Sequence, residues 1–372
     1  MEFVIHILEF LVMLSILVLF HEFGHFFVAK KFGIKVEEFG FGFPPRLFGI
    51  KKGETIYSIN AFPFGGFVKL YGEDEAGSGK VDFKNSKKAS NITDIKRAFF
   101  ARPAWQRVLV TVAGVVMNFL LAVIIISYLF AVFGSIAPKD VKIDGIQKDT
   151  PAASSDIKPG DIVIAVNGKN IQTTQQFIDI ANDNLDKKIT LKIKRQDRLF
   201  NVPIVPRKNH PKNQGPMGVV ITQEVEVKKY AWYEAPIKGL TEAVSFSYLM
   251  VKEMGRILIG FLFLGAKPEG VGGPVAVAQI SFQAFSAGIY PTLWLIAILS
   301  LNLAIVNILP IPALDGGRLF FVAVEMVLGK KINPRHESLA HTVGLALLFG
   351  LIILITINDI LRILAGKSLV SP

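Results

Sequence analysis

His21-Glu22-Phe23-Gly24-His25 is an HExxH pattern, the stretch of this chain whose residue types and spacing best suit chemistry. On a helix, residues four apart share a face, so both imidazoles can approach one zinc ion while Glu22 stands close enough to activate a water. A catalytic zinc takes three protein ligands and keeps a fourth position open, so a third donor is needed. The chain has no cysteine, which leaves His6, His210, His336, His341 and the carboxylates beside apolar segments. Asp315 stands out among these. It follows a 45-residue stretch without formal charge that starts at Gly270, in the context Asn307-Ile-Leu-Pro310-Ile-Pro312-Ala-Leu-Asp315-Gly-Gly. Two prolines two apart break a helix, and irregular backbone at membrane depth is tolerated only where protein or water covers it. The bland alternatives are interfacial decoration of a helix end by the two histidines and a simple capping role for Asp315.

The elements that must position these groups are membrane helices. Of 372 residues, 51% are hydrophobic and 11% aromatic, with a mean hydropathy of +0.45, too apolar for an ordinary soluble domain. Spanning about 30 Å of hydrocarbon takes about 20 apolar residues. Val108 to Phe133, Ile289 to Leu314 and Thr342 to Asn358 with its flanks meet this, and the run from Phe3 through the HExxH to Ala29 supplies a fourth span. That first run lacks a basic start and a small-x-small cleavage site, so it reads as a retained helix rather than a signal peptide. Ala243 to Ala266 carries Lys252, Glu253 and Arg256 in its middle and reads as an interfacial amphipathic helix. The expected division is 1–29 (first span, with HExxH), 30–103 (cytoplasmic, membrane-associated loop with a β-hairpin), 104–135 (second span), 136–222 (β-rich domain), 223–285 (amphipathic segment), 286–314 (third span), 315–340 (cytoplasmic loop) and 341–366 (fourth span).

Lys and Arg outnumber Asp and Glu by 41 to 30, an excess of +11 that favours anionic lipid headgroups. Nucleic acid is not expected, since no basic run or recognition motif is present. Lys30, Lys31, Lys35, Arg97, Arg102 and Arg107 flank the first loop and mark it as cytoplasmic; Arg318, Lys330, Lys331 and Arg335 repeat the signal after the third span, while Arg362 and Lys367 disagree. Both termini then lie outside. From about Ala137 to Ile221 the texture changes to short β-branched runs (Val141–Ile146, Asp161–Val166, Ile189–Ile193, Phe200–Val205) separated by turn signals, with Met217-Gly218-Val219 as a completing strand. Thr55-Ile-Tyr-Ser-Ile-Asn60 alternates as a strand and offers an edge for strand addition.

HEFGH in the first span, Asn-x-x-Pro-x-Pro-x-Leu-Asp-Gly in a later one and a small β-rich domain between them resemble the site-2 protease family of intramembrane zinc metalloproteases, bacterial regulator-of-sigma-E protease type. The resemblance runs over most of the chain, including His21 to Gly42, Pro63 to Leu70, Gly272 to Gln279 and Asn302 to Gly317. It implies a polytopic α-helical membrane protein of about four spans, with a membrane-associated β-hairpin and an inserted PDZ-like extracytoplasmic domain. It makes His21, His25 and Asp315 the ligands of Zn2+ and Glu22 the general base. Asn302 and Asn307 match asparagines that help hold substrate near the metal, and the segment Glu54 to Gly72, with a kink at Gly65-Gly66, matches a hairpin that pairs with unwound substrate. The second span departs from the family's Gly-Pro-x-x-Asn, reading Gly114-Val-Val-Met-Asn118.

The implied activity is an endopeptidase in the bacterial cytoplasmic membrane that cuts the transmembrane segments of single-pass proteins, such as anti-sigma factors or remnant signal peptides. Its active site is expected near the cytoplasmic side. Two other classes remain: a non-catalytic scaffold binding peptide tails, disfavoured by the intact Glu22, and a metal transporter, disfavoured because polar groups do not form a chain across several spans.

Overall fold

The computed structural model describes residues 2–73, 95–211, 214–264, 273–330, 332 and 334–364, in two compact units: residues 1–129 with 231–372, and residues 130–230. Gly272, Lys331, Lys367 and residues 74–94 of the first loop lie outside the described residues.

The first unit opens with α1 (Glu2–Lys31), whose apolar run favours a helix and whose last turn holds Lys30 and Lys31, opposite in sign to the carbonyl end of the helix dipole. Lys30 and Arg97 both reach Glu54, at 2.8 Å each. The hydrogen bond from Lys30 acts most strongly on the Glu54 carboxyl, and together with Arg97 it outweighs burial and holds the carboxyl below its ordinary range. The helix end is thereby tied to the sheet that follows.

That sheet is built from β1 (Val36–Lys52) and β2 (Thr55–Leu70), each bent back on itself. Phe39 pairs with both Tyr57 and Val68, and Phe41 with both Ile59 and Gly66, so the first half of β1 lies between the two halves of β2. The second half of β1 pairs with Tyr57 and its neighbours from the other side, through Gly49↔Ser58 and Ile50↔Tyr57. Gly42 and Gly65 have φ of 76° and 75°, values an L side chain rarely adopts, and they supply the bends. Residues 55–60 are therefore an interior row, contrary to the expected edge, because both sides of this row carry ladder partners; the outer rows are residues 66–70, nearer the HExxH helix, and residues 46–52. Phe43, Leu47, Phe48, Ile50, Ile59 and Phe62 are exposed, an apolar surface suited to lipid.

Helix α2 (Ala104–Val132) is continuous, so the missing proline of the second-span motif leaves an unbroken helix. It leads into the second unit. There β3 (Ser135–Ile146), β4 (Ile162–Val166), β5 (Lys169–Asn170), α3 (Thr174–Asp183), β6 (Ile189–Arg195), β7 (Arg198–Ile204) and β8 (Val219–Lys228) form a six-stranded sheet of order β7-β6-β4-β3-β8, with β5 on β4. Thr173 caps α3 through a capping box with Gln176. The core gathers Val141, Ile143, Val163, Phe177, Leu191 and Ile193. The closing strand starts at Val219 and runs to Lys228, past the expected end at 222, because its whole length pairs with the long β3. Met217 is buried in the core instead of lying in the strand.

The chain then returns to the first unit with α4 (Ala235–Leu264), α5 (Pro274–Ala287), α6 (Ile289–Ile308), α7 (Asp315–Leu328) and α8 (Pro334–Leu364). The segment expected as one amphipathic stretch over 223–285 thus divides into the end of β8 and two helices. The expected loop 315–340 is largely the helix α7, which carries an apolar face (Leu319, Val322 and Met326 among others) that a loop would not need. Among the described residues, four helices are long and apolar enough to cross a membrane: α1 from Val4, α2, α6, and α8 from Leu339.

Candidate active site

Helical spacing puts His21 and His25 on one face of α1, and α2 orients both rings. His25 Nδ1 donates to the Val110 carbonyl at 2.7 Å, which leaves Nε2 free of its proton. His21 Nδ1 lies 3.4 Å from the side-chain amide of Asn118, which is fully buried. The Asn118 nitrogen faces the ring and its oxygen has no partner among the described residues. Turning the amide over presents that oxygen to the Nδ1 proton. Gly114, one turn earlier on α2, sits directly under the rings: a Cβ there would lie 2.4 Å from His25 Nε2.

Asp315 arrives from the other side, in the first turn of α7. The helix can start there because Gly316 and Gly317 let the backbone close on the preceding turn; a Cβ on Gly316 would sit 2.0 Å from the Leu309 carbonyl oxygen, and one on Gly317 2.5 Å from that of Ile311. Asp315 Oδ2 lies 2.9 Å from His21 Nε2 and 3.1 Å from His25 Nε2, and the two Nε2 atoms are 3.2 Å apart. These three residues are the group among the described residues able to hold a metal ion. The donor set suits zinc, since a tetrahedron with bonds of about 2.0–2.1 Å has edges of about 3.3 Å. Both rings also hold their outer nitrogens against fixed partners on α2, as imidazole ligands do.

Glu22 turns from the same helical face toward β2, where the Val68 N–H donates to its Oε2 at 2.9 Å. Val68 belongs to an outer row of the sheet, and the next outward amide, Leu70 N–H, donates to Glu73 Oε2 at 3.2 Å. Glu73 in turn is paired with Arg318, one turn beyond Asp315. A cavity of about 700 Å³ opens here, lined by Glu22, His25, Val68, Asp315, Arg318 and His341 among others.

The structure brings together four of the residues singled out from sequence: His21, Glu22, His25 and Asp315. Asn302, exposed, and Asn307, half-buried, lie on α6 and are not among the cavity's lining residues. Gly65 and Gly66 are buried, and Gly66 is a packing position, since a Cβ there would meet the Gly40 carbonyl oxygen and Leu19, each at 2.9 Å. Of the alternative histidines, His6 is held by Glu9 and stacked on Phe282, His210 belongs to the β-rich unit, His336 is exposed, and His341 lines the cavity. Sequence reading gave no role to Gly114, Asn118 or Val68. The first two carried a signal in the Gly-x-x-x-Asn spacing, while Val68 acts through its backbone and carries none.

The chain is similar to several known proteins. A Clostridium perfringens protein named as a zinc metalloprotease is 36% identical over 353 residues, covering 93% of this chain and 96% of that protein. The regulator of sigma-W protease RasP of Bacillus subtilis is 27% identical over 430 aligned positions, covering 97% and 99%. Among solved structures, the PDZ domain of an SdrC-like protein from Listeria monocytogenes is 20% identical and covers 22% of this chain and 86% of that one, with a TM-score of 0.20. The model of peptidase family M50 matches residues 9–351, a span that holds the HExxH, the Asn118 support and Asp315, and the chain belongs to that family.

Proposed function

We propose that this chain is an intramembrane zinc endopeptidase that cuts transmembrane segments of single-pass membrane proteins. One observation carries the reading: two imidazole nitrogens on α1, a helix apolar enough to span a membrane, converge with a carboxylate oxygen of Asp315 beside a second carboxylate, Glu22. His21, His25 and Asp315 would hold the ion. Zinc, when bound, supplies a Lewis acid for the scissile carbonyl and lowers the pKa of an attacking water to about 7.

The remaining steps belong to the chain. Glu22 takes the proton of the attacking water and returns it to the leaving amine. In the free chain the Val68 N–H holds the Glu22 carboxylate beside the site, and an incoming strand that takes over this amide releases the carboxylate to carry that proton. A substrate helix hides its peptide bonds and must unwind to be cut, which frees main-chain groups that need partners. The outer row Gly66–Leu70 supports strand addition at this point, with the substrate replacing Glu22 and Glu73 on the Val68 and Leu70 amides. Asn302 and Asn307 then belong to the approach to the site rather than to the cavity itself.

The relative's name, regulator of sigma-W protease, supports anti-sigma factors as substrates, and remnant signal peptides are a second expected class. Lys30, Lys31 and Arg97 support a cytoplasmic hairpin loop and an extracytoplasmic PDZ-like unit that screens substrates by size. Single cysteines at Lys51 and Asn182 should then label oppositely with an impermeant thiol reagent in intact cells; equal labelling would reverse or abolish the assignment. The activity itself is tested by incubating the purified chain with a model transmembrane segment in detergent. Cleavage that a chelator stops and zinc restores is expected, whereas cleavage indifferent to the chelator would exclude the reading.

A further inference from the structure

His341, on α8, takes no part in the metal cluster, yet its protonation pattern is fixed by the backbone beside it. The Ala313 N–H donates to His341 Nδ1 at 2.9 Å. A neutral imidazole has one acceptor and one donor nitrogen, so with Nδ1 accepting, the proton sits on Nε2. That Nε2 is buried and has no hydrogen-bond partner among the described residues. Buried polar groups are nearly always paired, and an orphan donor on a residue that lines a cavity calls for an acceptor that a small shift of the ring lets a ligand supply. The cavity in question also carries Glu22, His25 and Asp315.

We propose that His341 is a substrate-contacting residue, its Nε2–H donating to a main-chain carbonyl oxygen of the peptide held in this cavity. The donor excludes a cation as its partner. The expected chemistry of the occupant, an unwound peptide whose carbonyls have lost their helical partners, matches it. The proposal rests on the endopeptidase reading and assigns a specific contact within it. His341 has a second job that any test must separate. Ala313 has φ of 82°, unusual for a residue with a side chain, and its amide bond to Nδ1 holds that conformation two residues before Asp315.

Two substitutions in the full-length chain divide the roles. His341→Asn keeps an acceptor near the Nδ1 position for the Ala313 amide and removes the outer donor. His341→Gln keeps a donor near the Nε2 position and loses the inner acceptor. Zinc content, kcat and KM are measured for each on one transmembrane substrate, and binding of that substrate is measured in the Glu22→Gln background with and without His341→Asn. The expected result is full zinc in His341→Asn, kcat/KM down by about tenfold or more, and partial recovery in His341→Gln. A hydrogen bond worth about 1.4 kcal/mol corresponds to that factor. A fall carried by kcat places the contact on the scissile carbonyl, and one carried by KM, with matching weaker binding, places it on a neighbouring carbonyl. Full zinc with kcat/KM within threefold of the parent in His341→Asn would overturn the proposal. So would a loss of activity that tracks loss of zinc, which would reduce His341 to a support for the Asp315 loop. Failure of the endopeptidase reading would show separately, as absence of cleavage by the parent.

Discussion

The helical unit and the β-rich unit are built inside out relative to one another. In the β-rich unit Val141, Ile143, Leu191 and Ile193 are buried and the lysines face outward, as expected when water is the solvent. In the helical unit Ile124, Leu347 and Leu354 are 61%, 69% and 67% exposed, while His21, His25, Asn118, Ser300 and Asp359 are buried. Lipid tails are as apolar as leucine, so burial of apolar surface cannot hold those helices together; close approach at small residues and interhelical hydrogen bonds take over. Ser300 Oγ donating to the Asn118 carbonyl at 2.8 Å, and Asp359 accepting from the Gly273 and Ala276 amides at 3.0 and 3.2 Å, are such contacts. The cluster of His21, His25 and Asp315 is one more polar interior of the same kind.

The comparison can be broken most severely at Asp315. Asp315→Ala removes one of three ligands, so zinc should fall to background and cleavage by a thousandfold or more, with hydrogen exchange of the β-rich unit unchanged. Full zinc stoichiometry in this variant would move the third ligand elsewhere.

A smaller effect is expected where packing, not ligation, is altered. Gly114→Val places branched carbon where only hydrogen fits beneath His25 Nε2, and zinc affinity should drop about 10–100-fold, the usual cost of disturbing a ligand's support. Affinity equal to the parent's would show that α2 does not set the ring positions.

The mildest break lies in the other unit. Asp161 is fully buried and accepts from Arg195 Nε at 2.7 Å and from the Lys158 amide at 2.7 Å. Burial opposes its charge, but Arg195 and the amide prevail and hold its carboxyl below the ordinary carboxylate range. A depressed folded-state pKa contributes stability above the unfolded value of about 3.9, lost as pH falls through the folded value. Asp161→Ala should therefore cost the β-rich unit about 2 kcal/mol near neutral pH and progressively less below about pH 4, read as faster exchange of the Leu191 and Ile193 amides. Zinc content and cleavage of a short substrate should not change. A cost that is constant down to acid pH would remove the ion pair from the explanation.

The two kinds of interior also decide what could be read from sequence. His21, Glu22 and His25 lie within five residues of one another, so helical spacing alone assembles them, and Asp315 was visible as the first charge after a long neutral stretch beside two prolines. Strands of the β-rich unit were legible because water imposes an alternation on them. Gly114 and Asn118 had no assignable role, because their meaning is a distance to another helix. Thr55–Asn60 alternates like an edge strand but lies between two rows of β1, since the bends at Gly42 and Gly65 fold the hairpin over. The β8 strand was misplaced because its register is set by β3, some 80 residues earlier.

The central claim is that His21, His25 and Asp315 hold a zinc ion on which Glu22 acts as the proton acceptor. Zinc content and single-turnover cleavage of a transmembrane segment, measured together for the parent and Glu22→Gln, test it most directly. Gln preserves the shape and the distance to Val68 but cannot accept the proton. The account predicts full zinc in both chains and cleavage at least a thousandfold slower in the variant. Cleavage by Glu22→Gln within tenfold of the parent, at equal zinc, would contradict it.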